Sequence, residues 1–252
     1  MLFCKIGVMD LRMRKKPNLQ PRMERCAQVL VDTPETMKGR WRDTYPAYST
    51  LELEIGCGKG GFTAALASQE PDTLLVAVER VPDALVVAME RVCAQDLKNV
   101  LFLNTDAKLL EEVFSPKEIS RIYINFCDPW PKSRDAKHRL TAPGFLRIYA
   151  RLLPLGGEIC FKTDNRPLFD WSLDQLRAEK WDIHSCTYDL HADGPVGIMT
   201  DYEAKFYAQG MKINRVVALK TAETVCSGDP GRLRNASLAD AYANQNTEDN
   251  AK

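Results

Sequence analysis

The fold is decided by Leu51-Glu52-Leu53-Glu54-Ile55-Gly56-Cys57-Gly58-Lys59-Gly60-Gly61, an apolar run that leads directly into a glycine-rich turn. A helical pattern follows from Phe62 to about Gln69. A strand, a glycine-rich turn and a helix in this order bring backbone N–H groups and a helix N-terminus close to a ligand. Gly56, Gly58 and Gly61 also satisfy the dinucleotide-binding spacing, so the stretch predicts a nucleotide-like ligand without choosing which one.

Six further runs predict strands of the same sheet, with helices between most of them: Leu74–Val78, Val100–Leu103, Ile122–Phe126, Glu158–Thr163, Trp181–Asp189 and Lys212–Leu219. Open α/β sheets bind ligands beyond the carboxyl ends of their strands. We therefore expect Glu54, Glu79, Asp106 and Asp128 to lie at one edge of the sheet. Asp106 can also serve as a helix N-cap, and Glu79 as an ordinary surface charge.

The loop Asn125-Phe126-Cys127-Asp128-Pro129-Trp130-Pro131-Lys132 follows one of these strands. Its two prolines restrict the backbone, so the loop loses little entropy when Asp128 and Trp130 are held in one pose. A dense set of basic residues comes next: Lys132, Arg134, Lys137, His138, Arg139, Arg147 and Arg151. We expect an anionic ligand to dock beside Asp128.

Composition places the chain among globular proteins. Its 252 residues are 45% apolar and 27% charged, with a formal net charge of zero, which predicts one α/β domain with appendages and argues against a membrane or coiled-coil protein. Residues 1–42 hold ten Lys and Arg against four Asp and Glu. We interpret 1–46 as a basic arm and connector, whose first thirty residues are disordered until a partner binds or form a solvated tail. Residues 47–221 form the domain, and 222–252 a polar, disordered tail.

Cysteine and histidine usage indicates the compartment. Eight cysteines without a Cys-x-x-Cys pair are typical of reduced thiols in a cytoplasmic protein, and the first nine residues are too short for a signal sequence. Three scattered histidines give no zinc signature, so we expect no metal.

The acidic residues at the strand ends discriminate between cofactors. They would repel the pyrophosphate of a dinucleotide, whereas S-adenosylmethionine carries a sulfonium, an ammonium group and ribose hydroxyls but no phosphate. The basic residues after Asp128 would then bind the second substrate, and cations beside an aromatic loop suit a nucleic acid.

Five motifs carry a resemblance to a known family: Glu54-Ile55-Gly56-x-Gly58-x-Gly60, Glu79 at a strand end, Asn125-Phe126-x-Asp128-Pro129-Trp130-Pro131-Lys132, Phe161-Lys162-Thr163-Asp164-Asn165 and Thr200-x-Tyr202-Glu203-x-Lys205-Phe206. With the Arg12-Met13-Arg14-Lys15-Lys16-Pro17 start and Lys38-Gly39-Arg40-Trp41, the chain resembles the bacterial tRNA (guanine-N7)-methyltransferases from about Arg12 to Leu219. The resemblance implies the Rossmann-like class I methyltransferase fold: a mostly parallel seven-stranded sheet flanked by helices, with its last strand antiparallel.

The same resemblance implies methyl transfer from S-adenosylmethionine to N7 of guanosine 46 in the tRNA variable loop, with S-adenosylhomocysteine as product. It implies the following roles. The cofactor residues are Glu54, Gly56, Gly58, Gly60, Glu79, Asp106 and Asp128, with Asp128 also catalytic. The substrate residues are Lys132, Asp164, Thr200, Asp201, Tyr202 and Glu203, and the RNA-contacting residues are Arg134, Lys137, His138 and Arg139. By pattern alone, Thr200 and Glu203 predict a capping box.

Several alternatives stay open. The family has more basic residues where this chain has Ser133, Asp135 and His138, so the resemblance leaves the strength of tRNA binding open. Asp-Pro-Trp-Pro is also similar to the Asp-Pro-Pro-Tyr loop of exocyclic-amine methyltransferases. The glycine pattern allows an NAD-dependent oxidoreductase, and the basic residues allow a non-catalytic RNA-binding protein. The sequence does not choose between a monomer and a homodimer.

Overall fold

A computed structural model describes residues 16–226. The strands are β1 Thr50–Ile55, β2 Thr73–Val78, β3 Val100–Leu103, β4 Arg121–Asn125, β5 Glu158–Thr163, β6 Asp182–Thr187 and β7 Asn214–Leu219. The helices are α1 Leu19–Arg25, α2 Trp41–Thr44, α3 Gly61–Gln69, α4 Pro82–Ala94, α5 Leu110–Val113, α6 Pro143–Leu152, α7 Arg166–Ala178 and α8 Asp201–Tyr207. Every strand predicted from the sequence is present, with ends that differ by at most two residues.

The seven strands form one sheet in the order β3-β2-β1-β4-β5-β7-β6. The pairs from β3 to β5 are parallel, and β7 runs antiparallel to both β5 and β6. The predicted fold is therefore confirmed. The strand order reverses between β1 and β4, and a crevice at such a switch point is where open α/β sheets bind ligands.

Burial on both faces explains why β2 is almost continuously apolar. All six residues of β2 are buried. One face packs against α6 and α7 through side chains such as Tyr149 and Phe169, and the other packs against α3 and α4 through Ala64 and Met89. Proline in the first turn of α4, α6 and α7 fixes where these helices begin.

The segment before β1 packs on the domain. Arg22 on α1 donates two hydrogen bonds to Glu90 on α4, at 2.7 and 2.6 Å. The amide of Val31 donates to the carbonyl of Phe102, and the Trp41 ring is fully buried with its Nε1 donating to Val113 at 3.0 Å. The disorder predicted up to residue 30 is wrong for residues 19–30, because these contacts need no partner. Arg12, Arg14 and Lys15 lie outside the described residues.

The chain after β7 begins by packing too. Thr224 is buried, its hydroxyl donates to the carbonyl of Lys180, and the amide of Val225 donates to that of Glu179. Disorder from residue 222 is thus wrong for the first five residues, and the predicted tail from 227 onward lies outside the described part. Within residues 16–226, none of the helices combines the length and apolar character that crossing a bilayer requires.

Candidate active site

A pocket of about 890 Å³ opens at the carboxyl ends of the parallel strands. This volume lies within the range of small-molecule sites, roughly 300 to 1,000 Å³. Its walls combine the glycine-rich turn, four carboxylates and an apolar surface. The residues that line it include Gly56, Gly58, Lys59, Glu79, Arg80, Val81, Asp83, Asp106, Lys108, Phe126, Asp128, Trp130, His138, Leu140, Phe145 and Tyr202.

The glycine-rich turn has two functions. Gly56, Gly58 and Gly60 all have positive φ angles, of 78°, 57° and 71°. A Cβ on Gly56 or Gly58 would meet no atom within 4 Å, so these residues leave the pocket wall open. A Cβ on Gly60 would instead lie 2.7 Å from the Cβ of Ala88 on α4, so Gly60 allows α3 and α4 to pack closely and lies behind the pocket wall.

Glu79 is fixed at the end of β2 by backbone donors. One carboxylate oxygen accepts from the amide of Gly58 at 3.0 Å, and the other from the amide of Val81 at 2.8 Å. Each oxygen retains a lone pair for a further donor, such as a ribose hydroxyl. Asp106 lines the same pocket and also accepts from the amide of Lys108 at 2.9 Å. The N-cap interpretation is therefore confirmed, and the same residue is still part of the pocket wall.

Glu54 lies beneath the pocket and does not line it. It is 2% exposed and accepts hydrogen bonds from Thr63 at 2.6 Å and from Asn125 at 3.3 Å. Burial raises the pKa of Glu54 to about 7, against the opposing effect of these donors and of Lys162.

The rim of the pocket differs from the one that the sequence indicated. Of the four carboxylates expected at strand ends, Glu79, Asp106 and Asp128 line the pocket, whereas Glu54 is covered; Asp83, in the first turn of α4, is the fourth carboxylate of the wall. Three cations, Lys59, Arg80 and Lys108, line the same walls.

Asp128 lies on a strained loop. Its side chain is 74% exposed, with Oδ2 lying 3.9 Å from Nη2 of Arg80. Phe126 and Trp130, on either side of it, have φ angles of 52° and 44°, which aromatic residues rarely adopt. The Trp130 ring packs against the His138 ring at a centroid distance of 5.2 Å, and both rings line the pocket.

The basic residues after Asp128 differ in their exposure to solvent. Lys132, Arg134 and Lys137 are exposed. Arg139 is fully buried, so its side chain is not on the surface where the resemblance implied a contact with RNA. Arg147 and Arg151 are also removed from the expected anion site, because they form ion pairs with Glu179 and Glu111. Sequence proximity had suggested a larger cationic surface than the fold leaves available.

The capping box predicted at the start of α8 is confirmed. The Thr200 hydroxyl accepts from the amide of Glu203 at 2.9 Å, and the Glu203 carboxylate accepts from the amide of Thr200 at 3.1 Å. Glu203 also accepts from Lys162 Nζ at 2.6 Å and from His191 Nε2 at 3.0 Å. Glu203 is 0% exposed and does not line the pocket, and these contacts make it the anchor of α8 instead of the substrate contact that the resemblance implied.

Tyr202 is the residue of this segment that reaches the pocket. Its hydroxyl donates to Asp164 Oδ2 at 3.1 Å, and its ring packs against Phe126 at 5.2 Å. Burial, together with the charge of Asp164, raises the pKa of Tyr202 to about 12, so the hydroxyl stays protonated at neutral pH. Lys132, Asp164, Thr200 and Asp201 do not line the pocket, and Asp201 pairs with Arg91 at 2.7 Å.

Three residues that build the site had no role predicted from the sequence. Arg80 directly follows Glu79, so its position at a strand end was a usable signal. Lys162 belongs to one of the motifs of the resemblance, and the fold makes it the ion-pair partner of Glu203. His191 accepts from the amide of Val196 through Nδ1, which leaves Nε2 as the donor to Glu203, and no sequence pattern indicates that arrangement.

The pocket has the features that a nucleoside-bearing cofactor requires. Glu79 offers acceptors beside an open glycine wall, and Val81, Leu140 and Phe145 supply an apolar surface for a flat base. These residues fit a ligand with paired hydroxyls and an aromatic ring. Among the described residues, no group of three or more His, Cys, Asp or Glu side chains is arranged to hold a metal ion.

Comparisons with known proteins agree with this geometry. Residues 49–216 match a family model described as "Putative methyltransferase". The chain is 42% identical to the tRNA (guanine-N(7)-)-methyltransferase of Listeria welshimeri over 209 residues, 82% of this chain and 98% of the relative. It is also 42% identical to that of Clostridioides difficile over 210 residues, 83% and 98% of the two chains. The crystal structure of the 16S rRNA methyltransferase KamB has the same fold, with a TM-score of 0.58 and 16% identity over 73% of this chain and 93% of that one.

Proposed function

The chain belongs to the tRNA (guanine-N7)-methyltransferase family, and we propose that it transfers the methyl group of S-adenosylmethionine to N7 of guanosine 46 in the tRNA variable loop. The observation that carries this proposal is that Glu79, Asp106 and Asp128, from the ends of three strands, line one pocket whose glycine wall is open. Such a site suits a nucleoside beside a second, base-bearing substrate.

We infer the cofactor residues from this arrangement together with the family resemblance. Glu79 accepts from the two ribose hydroxyls, Asp106 lies where the exocyclic amine of adenine can donate to it, and Gly56 and Gly58 allow close approach. Glu54 and Gly60 support this wall from behind. When bound, S-adenosylmethionine supplies a methyl group on a cationic sulfur and leaves as S-adenosylhomocysteine.

The chemistry requires orientation more than proton transfer. N7 of guanine carries an available lone pair, so no general base is needed, and positioning with electrostatic stabilisation supplies the rate. Asp128 accepts hydrogen bonds from N1–H and the N2 amine of the guanine, and its charge stabilises the positive charge that the base gains. Both functions need an ionised Asp128.

The substrate is held by the surfaces around this carboxylate. Tyr202, fixed by Asp164 and packed on Phe126, and Trp130 with His138 offer aromatic faces to the guanine. Thr200 and Glu203 fix Tyr202 through the start of α8. Lys132, Arg134 and Lys137 contact tRNA phosphates, and we infer a cytoplasmic location from this substrate. The tRNA partner binds either a monomer or a homodimer.

Incubation of the full chain with labelled S-adenosylmethionine and bulk tRNA tests the proposal. Digestion to nucleosides and mass spectrometry should show N7-methylguanosine, and mapping should place it at position 46. A methyl group on an exocyclic amine would instead support the amino-methyltransferase alternative. Membership of a methyltransferase family already removes the oxidoreductase alternative.

A further inference from the structure

Arg139 is a buried cation directly beneath the loop that carries Asp128. Its side chain is 0% exposed although it belongs to the most basic stretch of the sequence. Its Nε donates to the carbonyl of Pro129 at 3.1 Å and to that of Trp130 at 3.3 Å, and its Nη2 donates to Trp130 at 2.9 Å. One guanidinium group therefore holds two consecutive carbonyls, the first of them adjacent to Asp128.

The other side of this guanidinium group rests on the domain core. Its carbon atom lies 4.3 Å from the ring centroid of Trp171, a buried residue of α7. Cation–π contacts of this kind are strongest where the cation is desolvated. Arg139 thus connects the Asp128 loop to a helix that makes no part of the pocket wall.

The loop needs such a connection. Trp130 is held at a φ angle of 44°, and strained conformations of this kind persist only where the surroundings impose them. Pro129 and Pro131 have no amide hydrogen, so the loop has few backbone donors of its own for stabilising this conformation. The planar guanidinium fork, with its fixed donor directions, matches two neighbouring carbonyls, which a lysine ammonium group does not.

We propose that Arg139 is a positioning residue for methyl transfer: it holds the Pro129–Trp130 backbone so that Asp128 and the Trp130 ring face the guanine. This role rests on the proposed function, and it replaces the RNA contact that the resemblance implied for Arg139.

Two variants separate positioning from RNA contact. Arg139→Lys keeps the charge but loses the fork, and Arg139→Met removes both. Arg177→Met is the matched control, because Arg177 lies on the same helix as Trp171 and its side chain is 60% exposed. We expect kcat at saturating tRNA to fall on the order of 100-fold in Arg139→Met, the size of effect that a misplacement of about 1 Å produces, and to fall less in Arg139→Lys. KM for tRNA and its salt dependence should not change.

Hydrogen exchange gives a readout that needs no activity. Loss of one or two hydrogen bonds should raise exchange in the peptide covering residues 126–132 roughly tenfold in Arg139→Lys, and leave the Arg177→Met protein unchanged. If Arg139→Met does not fold, judged by its melting transition, Arg139→Lys carries both tests.

The proposal is overturned if exchange of this peptide and kcat in Arg139→Lys both stay within twofold of the wild type. It is also overturned if the variants change only KM and the salt dependence, which is the signature of a phosphate contact. Absence of tRNA methylation by the wild-type chain would instead reject the proposed function, while the exchange experiment would still decide whether Arg139 holds the loop.

Discussion

Lys162 Nζ lies 2.6 Å from Oε2 of Glu203, and the two side chains are 8% and 0% exposed. This ion pair joins β5, an inner strand of the sheet, to α8, which carries Tyr202 into the pocket. His191 and the amide of Thr200 complete the environment of the carboxylate. Burial lowers the pKa of Lys162, and the carboxylate of Glu203 opposes that shift.

Replacement of Lys162 by Met should strongly destabilise the protein. The substitution leaves the Glu203 carboxylate buried without its cation, and breaking such a pair costs about 3 to 5 kcal/mol. We expect this loss in the free energy of unfolding measured with urea, together with weaker methylation, because Tyr202 loses its support.

Two controls accompany this variant. Lys205→Met removes an exposed lysine from α8, the helix that carries Glu203, and should change the free energy of unfolding by no more than about 0.5 kcal/mol. The double variant Lys162→Met/Glu203→Gln should recover part of the loss, since it contains no unpaired charge. A double variant no more stable than Lys162→Met would show that the charge is not the cause.

Replacement of Asp128 by Asn should separate binding from catalysis. The amide keeps the size of the side chain but removes the negative charge and one acceptor, so kcat should fall about 100-fold or more. Binding of S-adenosylhomocysteine, measured by calorimetry, should remain detectable. Retained turnover with tRNA would reject the catalytic assignment.

The exposed cations after Asp128 should set the salt dependence of tRNA binding. If Arg134 or Lys137 contacts a phosphate, its replacement by Met lowers the slope of log K against log salt by about one unit. Lys98 is a suitable control, because its side chain is 76% exposed and it lies before β3, at the opposite edge of the sheet. A slope identical to that of Lys98→Met would show that both residues are solvated surface charges that do not contact a phosphate.

Glu54 should make stability depend on pH. Its folded pKa of about 7 is raised above the unfolded value near 4.5, so its stabilising contribution is complete below about pH 4.5 and is lost as the pH rises through 7. Between pH 6 and pH 8.5 the loss amounts to about 1.4 kcal/mol, because the unfolded carboxyl is already ionised at pH 6.

The Glu54→Gln variant, which resembles the protonated carboxyl, should not show this loss in urea unfolding at the two pH values. Glu112→Gln, at an exposed position, should follow the wild type. A difference between wild type and Glu54→Gln that is the same at both pH values would show that Glu54 does not titrate in this range.

The sequence by itself determined the architecture and the strand ends. Strand periodicity, the glycine-rich turn and the prolines at helix starts are local signals, because each determines the backbone conformation of the residues next to it in the sequence. For this reason Glu79, Asp106 and Asp128 were placed correctly on the pocket, and the capping box of Thr200 and Glu203 was recognised.

Only the tertiary structure decided which charges face solvent. Arg134 and Arg139 are five residues apart in one basic stretch, yet the first is exposed and the second is buried over Trp171. The resemblance assigned Glu54 and Glu203 to ligands, but Thr63 on α3 and Asn125 on β4 donate to the Glu54 carboxylate, and Lys162 on β5 pairs with Glu203. The physical reason is that the free energy of a charged group depends on its solvation and on partners brought together by folding, and neither quantity is encoded in the local sequence pattern.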